Sequence, residues 1–174
     1  MNQLSHHPTQ HPSPRRPPPG PGGRIAFIQA CWHRDVVDRA RDAFLAEMAR
    51  LGVGAEQIDV LEVPGAFEIP LHAQALAHAG RHAAVVACAL VVDGGIYRHE
   101  FVSQAVIDAL MRVQLDTGMP VLSAVLTPQQ FHEHETHVNF FAGHFVIKGA
   151  EVARACVQTL ASLRALRGED KLAA

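Results

Sequence analysis

Three observations predict an α/β fold class: a flavodoxin-like three-layer sandwich with a four-stranded parallel sheet flanked by helices. Short apolar runs alternate with helical patterns from residue 24 onward, and four such pairs follow in series. One run, "HAAVVACALVV" (82–92), is apolar after its first residue. Strand–helix pairs in series give parallel strands with crossover helices. An unbroken apolar strand is one covered on both faces.

The elements follow in order. "RIAFIQA" (24–30) is the first strand. A helix is expected over 35–52, where Val37, Ala40, Phe44, Met48 and Leu51 recur at steps of three and four, and Gly52 stops it. "AEQIDVLEV" (55–63) alternates as a second strand. "EIPLHAQALAHAG" (68–80) is helical, with Pro70 in the first turn, where its missing N–H costs nothing, and Gly80 past the end. After the third strand (82–92), a helix over 100–118 places Val102, Val106, Ala109 and Val113 on one side. "PVLSAVLT" (120–127) is the fourth strand. The last helix is expected over 146–166, with Arg154, Gln158 and Arg164 on its outer face.

Residues 1–23 differ. They hold seven of the eleven prolines, with His6, His7 and His11 and almost nothing apolar. Such a segment has no face to bury and is expected to be a disordered or extended tail. That leaves one domain over 24–174, and 174 residues suffice for a real core. The net charge of −2 gives no electrostatic case for nucleic acid or an anionic membrane. No run approaches the roughly 18–20 apolar residues that span a bilayer, and no signal-peptide core is visible. Cys31, Cys88 and Cys156 are odd in number and widely spaced, which suggests neither a disulfide framework nor a zinc site. A cytoplasmic protein is expected.

In such folds ligands sit beyond the carboxyl ends of the strands. Four segments lie there. In "QACWH", Trp32 either stacks on a flat heterocycle or packs a helix on the sheet, and His33 is expected to be a surface residue. In "PGAFEIP", Glu68 either accepts hydrogen bonds from a polyol or only favours a helix N-terminus. "VVDGGIYRHEFV" is neither a dinucleotide fingerprint nor a P-loop. Gly94 and Gly95 still let backbone amides approach an anion at a helix start, and Arg98 and His99 add cationic or proton-transfer chemistry. A plain strand-to-helix turn stands beside that reading. In "FHEHETH", His132, His134 and His137 are metal-ligand types. The spacing is not that of a helical zinc protease, since position 136 is threonine. A polar loop with one histidine partnering phosphate is preferred, and no metal is expected. Together the four strand ends suit the joining of a heterocycle to a small phosphorylated sugar fragment, with no cofactor motif.

Five segments, "AFIQACWH", "DVLEVPGAFEIPLHAQALA", "VVDGGIYRHEFV", "PVLSAVLT" and "KGAEVA", resemble the lumazine synthase family in order over nearly all of 24–160. "DGGIYRHEF", the tryptophan after the first strand and the histidine-rich loop resemble its type II branch. The resemblance implies condensation of 5-amino-6-(D-ribitylamino)uracil with 3,4-dihydroxy-2-butanone 4-phosphate. The products are 6,7-dimethyl-8-ribityllumazine, phosphate and water, with no metal or organic cofactor. It implies homo-oligomers with sites between neighbouring subunits: pentamers, or in type II two stacked pentamers forming a decamer.

The resemblance also assigns roles. Trp32 would stack on the pyrimidine, and Ala66, Phe67 and Glu68 would hold the ribityl chain. Leu90, Val91 and Val92 would lie against the heterocycle, and Gly95 and Ile96 would form the phosphate turn. Ser123 matches a position reached from the neighbouring subunit, and Lys148 and Glu151 match a charged pair opening the last helix. Two departures stand out. Arg98 occupies the position of the family's proton-donating histidine, and His99 follows it. Arginine stays protonated near neutral pH and suits phosphate or an oxyanion better than a proton shuttle. Adjacent helical side chains diverge by about 100°, so His99 is expected to substitute only if the turn is distorted. His137 falls where the family carries a phosphate-binding arginine. An imidazole is only partly charged at neutral pH, which implies weaker, pH-dependent phosphate binding. Three other readings stand: a flavin or lumazine carrier of the same fold without turnover, a metal enzyme using the histidine loop, and a purely structural shell protein.

Overall fold

The computed structural model describes residues 23–95, 98–128, 131 and 135–168. Apart from Gly23, the predicted tail lies outside these residues, as do Ile96, His132 and His134. Four strands, β1 (Arg24–Ala30), β2 (Ile58–Val63), β3 (His82–Leu90) and β4 (Val121–Leu126), alternate with helices α1 (Arg34–Arg50), α2 (Ile69–Ala79), α3 (His99–Thr117) and α4 (Glu135–Arg167). All strand pairs are parallel, in the order β2-β1-β3-β4. The expected fold class is therefore found.

Burial follows strand position. The central strands β1 and β3 are buried almost throughout, while the edge strands β2 and β4 each carry exposed positions. One face carries Phe27, Val86 and Cys88 beneath α1 and α4; Phe44, Met48, Phe145 and Cys156 close that layer. The other carries Ala26, Ile28, Ala87 and Ala89 beneath α2 and α3. Burial pushes the thiols of Cys88 and Cys156 up to about 12, so both stay neutral packing groups. No helix among the described residues is long and apolar enough to cross a membrane.

The boundaries depart from expectation in two places. Residues Ala55–Gln57 form a 3₁₀ turn, and the second strand starts only at Ile58. The last helix starts at Glu135, eleven residues before the predicted start at 146. Within it Phe145, Gly149, Val152 and Cys156 are buried, and Val138 and Phe141 pack against the same core. These six positions recur at steps of three and four, one continuous helical stripe.

A polar clamp ties the amino ends of three strands. Arg24 Nε donates to Asp59 Oδ2 at 2.6 Å, and a second guanidinium nitrogen pairs with Asp59 Oδ1. His82 Nε2 donates to Asp59 Oδ2 at 2.9 Å from across β1. A register shift between Arg24 and Ile25 leaves Ala83 unpaired and sets His82 opposite Arg24. Hydrogen bonds from Arg24 and then His82 hold the Asp59 carboxyl well below the usual carboxylate range. A carboxyl depressed in the folded state stabilises fully above its unfolded value of about 3.9, and that contribution fades as pH falls toward the folded value. Asp59→Asn is therefore expected to narrow the stability difference between about pH 7 and pH 3. Urea midpoints at the two pH values check this; equal losses in wild type and variant would disconnect Asp59 from acid sensitivity.

Candidate active site

The strand order places a topological switch point between β1 and β3. From β1 the chain crosses to β2 on one side and returns to β3 on the other. A crevice must open there, beyond the carboxyl ends. A cleft of about 1120 Å³ occupies this place, lined by Ala30, Trp32 and His33 after β1, by 64–68 after β2, and by Leu90 to Gly94 after β3. Arg98, His99 and Val102 at the start of α3, and Phe131, complete the lining.

Each wall has a local cause. Cys31 N–H donates to the Val63 carbonyl at 2.9 Å, which ends β1 against β2 and throws Trp32 outward, 72% exposed. After β2, a 3₁₀ turn (Ala66–Glu68) runs into α2 and leaves Phe67 66% exposed. Glu68 is the N-cap residue of α2, yet its side chain makes no cap hydrogen bond and faces the cleft. A side chain at Gly65 would come within 3.2 Å of the Glu68 carboxylate, so glycine there leaves that carboxylate room. After β3, Val91 N–H donates to the Leu126 carbonyl at 2.9 Å, and Asp93 Oδ1 then accepts from Gly95 N–H at 2.8 Å. Gly95 has φ 73°, a left-handed conformation that favours glycine.

The two candidate proton and charge carriers sit side by side. Arg98 is the N-cap of α3, with extended backbone (φ −77°, ψ 96°), and His99 is the first helical residue. Because Arg98 is not helical, the helical divergence does not apply, and both side chains line the cleft. The Arg98 guanidinium carbon lies 4.5 Å from the centre of the Phe101 ring. The His99 side chain is 16% exposed; its Nδ1 is buried without a hydrogen bond and stands 3.7 Å from Glu100 Oε2.

Of the sequence-predicted residues, Trp32, Ala66, Phe67, Glu68, Leu90, Val91, Val92, Arg98 and His99 come together in this cleft. Gly95 adjoins it, and Ile96 lies outside the described residues. Four do not line the cleft of their own chain. Ser123 is exposed on edge strand β4. His137 is in the first turn of α4, its ring 6.4 Å from that of Phe141. Lys148 Nζ donates to Glu151 Oε2 at 2.7 Å further along α4. The expectation that His33 is a surface residue is corrected: it lines the cleft and packs on Phe131. Phe131 and Asp93 are further lining residues that sequence reasoning passed over. Among the described residues no cluster of three metal-ligand side chains occurs.

Residues 22–164 match the family described as 6,7-dimethyl-8-ribityllumazine synthase. The chain belongs to that family. It is 64% identical over 145 residues to a 6,7-dimethyl-8-ribityllumazine synthase of Rhodococcus erythropolis, covering 83% of this chain and 94% of the relative. It is 63% identical over 146 residues to 6,7-dimethyl-8-ribityllumazine synthase 2 of Bradyrhizobium diazoefficiens, covering 84% and 87%. With 6,7-dimethyl-8-ribityllumazine synthase 2 of Pseudomonas syringae pv. tomato it shares 59% over 150 residues, covering 86% and 88%. The reading as a lumazine synthase, a transferase of riboflavin biosynthesis, is borne out.

Proposed function

We propose that this cleft joins 5-amino-6-(D-ribitylamino)uracil to 3,4-dihydroxy-2-butanone 4-phosphate, with Trp32 as the plate for the pyrimidine. The observation that carries this is the pairing, in one cleft, of an exposed tryptophan with an uncapped glutamate and a helix start bearing Arg98 and His99. The Glu68 carboxylate accepts ribityl hydroxyls. Leu90, Val91 and Val92 form the apolar side of the ring pocket. The turn at Gly95, with the guanidinium of Arg98, receives the phosphate at the positive end of α3.

The pyrimidine amine attacks the butanone carbonyl, and loss of water gives a Schiff base. Phosphate then leaves, tautomerisation restores a carbonyl, and attack by the ribitylamine expels a second water. His99 moves the protons, and Arg98 stabilises the departing phosphate. Much of the acceleration comes from holding the two reactants together.

Ser123, His137, Lys148 and Glu151 serve the cleft of a neighbouring subunit in this reading, so the assembly is a ring of copies with sites at the joins. The exposed apolar residues Ile107, Met111 and Leu115 along α3 support such a contact. The stretch "DGGIYRHEF", Trp32 after the first strand and the histidine-rich loop support the type II branch, and with it two stacked pentamers. The protein acts in the cytoplasm as a single domain from residue 24 onward.

Turnover tests the proposal: lumazine appearance is followed optically with both substrates. Trp32→Ala is expected to raise KM for the pyrimidine about tenfold to a hundredfold, the worth of one base–aromatic stack. An unchanged KM would remove Trp32 from the site. Lumazine binding without any turnover would favour the carrier.

A further inference from the structure

We infer that His33 is a specificity-determining residue: its imidazole hydrogen-bonds the polar edge of the heterocycle that stacks on Trp32. The inference rests on the reading of Trp32 as the heterocycle plate.

His33 is the single non-glycine residue with positive φ among the described residues, at φ 51° and ψ 45°. Such a conformation costs a side-chain-bearing residue free energy and tends to persist where surroundings over-determine it, notably at ligand clamps. The fold does not ask for histidine here. The His33 carbonyl accepts from the amides of Val36 and Val37, both at 3.0 Å, which any residue could do. Glycine would take the same backbone shape without strain.

The ring is what glycine would lack. It meets the Phe131 ring edge-on, with centroids 5.2 Å apart and planes at 66°. Phe131 is itself only 5% exposed, so it acts as a fixed wall that orients the imidazole. No hydrogen bond engages the His33 ring nitrogens among the described residues, and the residue lines the cleft next to Trp32. A strained backbone thus carries an oriented ring with open nitrogens beside an aromatic plate. Neutral imidazole offers one donor and one acceptor. A pyrimidinedione edge alternates carbonyl and N–H groups and matches that pair. A site built to hydrogen-bond such an edge rejects rings that lack it.

The test compares His33→Gly, His33→Asn and Trp32→Ala in the full chain. Calorimetric titration with 6,7-dimethyl-8-ribityllumazine is combined with thermal melts and steady-state kinetics. His33→Gly is expected to raise Tm by relieving the left-handed strain, and to weaken lumazine binding about tenfold, the worth of one hydrogen bond. The kinetic loss should fall on KM for the pyrimidine and leave KM for the butanone phosphate unchanged. Asparagine tolerates the left-handed region and keeps a donor and an acceptor, so His33→Asn should restore most of the affinity. A glycine variant that binds as tightly as wild type overturns the inference, whichever way its Tm moves. If Trp32→Ala also binds unchanged, the heterocycle-plate reading fails as well; if Trp32→Ala weakens binding, only the role of His33 is lost.

Discussion

Gly149→Ala is expected to destabilise the fold by about 2–3 kcal/mol, at the upper end for overpacking a close contact. On an isolated helix the same change would stabilise by up to about 1 kcal/mol, because alanine is the better helix former. The sign reverses here because α4 passes against α1 at this residue. A Cβ on Gly149 would stand 2.2 Å from the Ala40 carbonyl oxygen and 2.9 Å from its carbonyl carbon and Cα. These are backbone atoms in a helix and cannot rotate aside, so the helices must part. Parting them opens the layer built from Phe27, Phe44 and Phe145. Gly143, on the same helix, supplies the control: a Cβ there meets nothing within 4 Å, so Gly143→Ala should be neutral or stabilising. Urea midpoints of the two variants measure both. A Gly149→Ala midpoint at or above wild type would mean the helices are not in backbone contact.

That contact shows where sequence reasoning reaches its limit. Strand and helix periods located every element in order, because Val37, Ala40, Phe44 and Met48 declare their buried face by spacing alone. The same rule, carried upstream from Val152, would have found the first turns of α4 through Gly149, Phe145, Phe141 and Val138. Gly143 and the histidines before it read as loop, while Gly149 fell inside the helix expected over 146–166. Yet Gly149 is there for close packing on α1, a reason visible only once the two helices are side by side. The cleft was legible because parallel α/β order dictates which strand ends bear ligands. Trp32, Glu68 and Arg98 were thereby singled out with no knowledge of their neighbours. His33 was missed because nothing in "CWHRD" announces a left-handed backbone. Ser123, His137, Lys148 and Glu151 lie off the cleft of their own chain, and no single chain shows what they face.

Single replacement of Arg98 or His99 is expected to lower kcat/KM by about 10²–10⁴-fold without abolishing turnover. The two residues share one helix start but offer different chemistry. Arg98, extended at the N-cap with its guanidinium against Phe101, carries a permanent charge and cannot cycle a proton. Its replacement by alanine should therefore fall mainly on KM for the butanone phosphate and on phosphate departure. His99 has a buried Nδ1 without a hydrogen bond, and its ring lines the cleft. His99→Asn should fall mainly on kcat. The double variant should still exceed the uncatalysed rate, since the cleft would continue to hold amine and ketone together. Steady-state kinetics of the two single variants and the double variant, over about pH 5.5 to 8.5, separate these roles. Complete loss from either single change would concentrate the proton and charge work in one residue. A kcat effect confined to Arg98, with His99→Asn indistinguishable from wild type, would assign proton transfer to a group outside this pair.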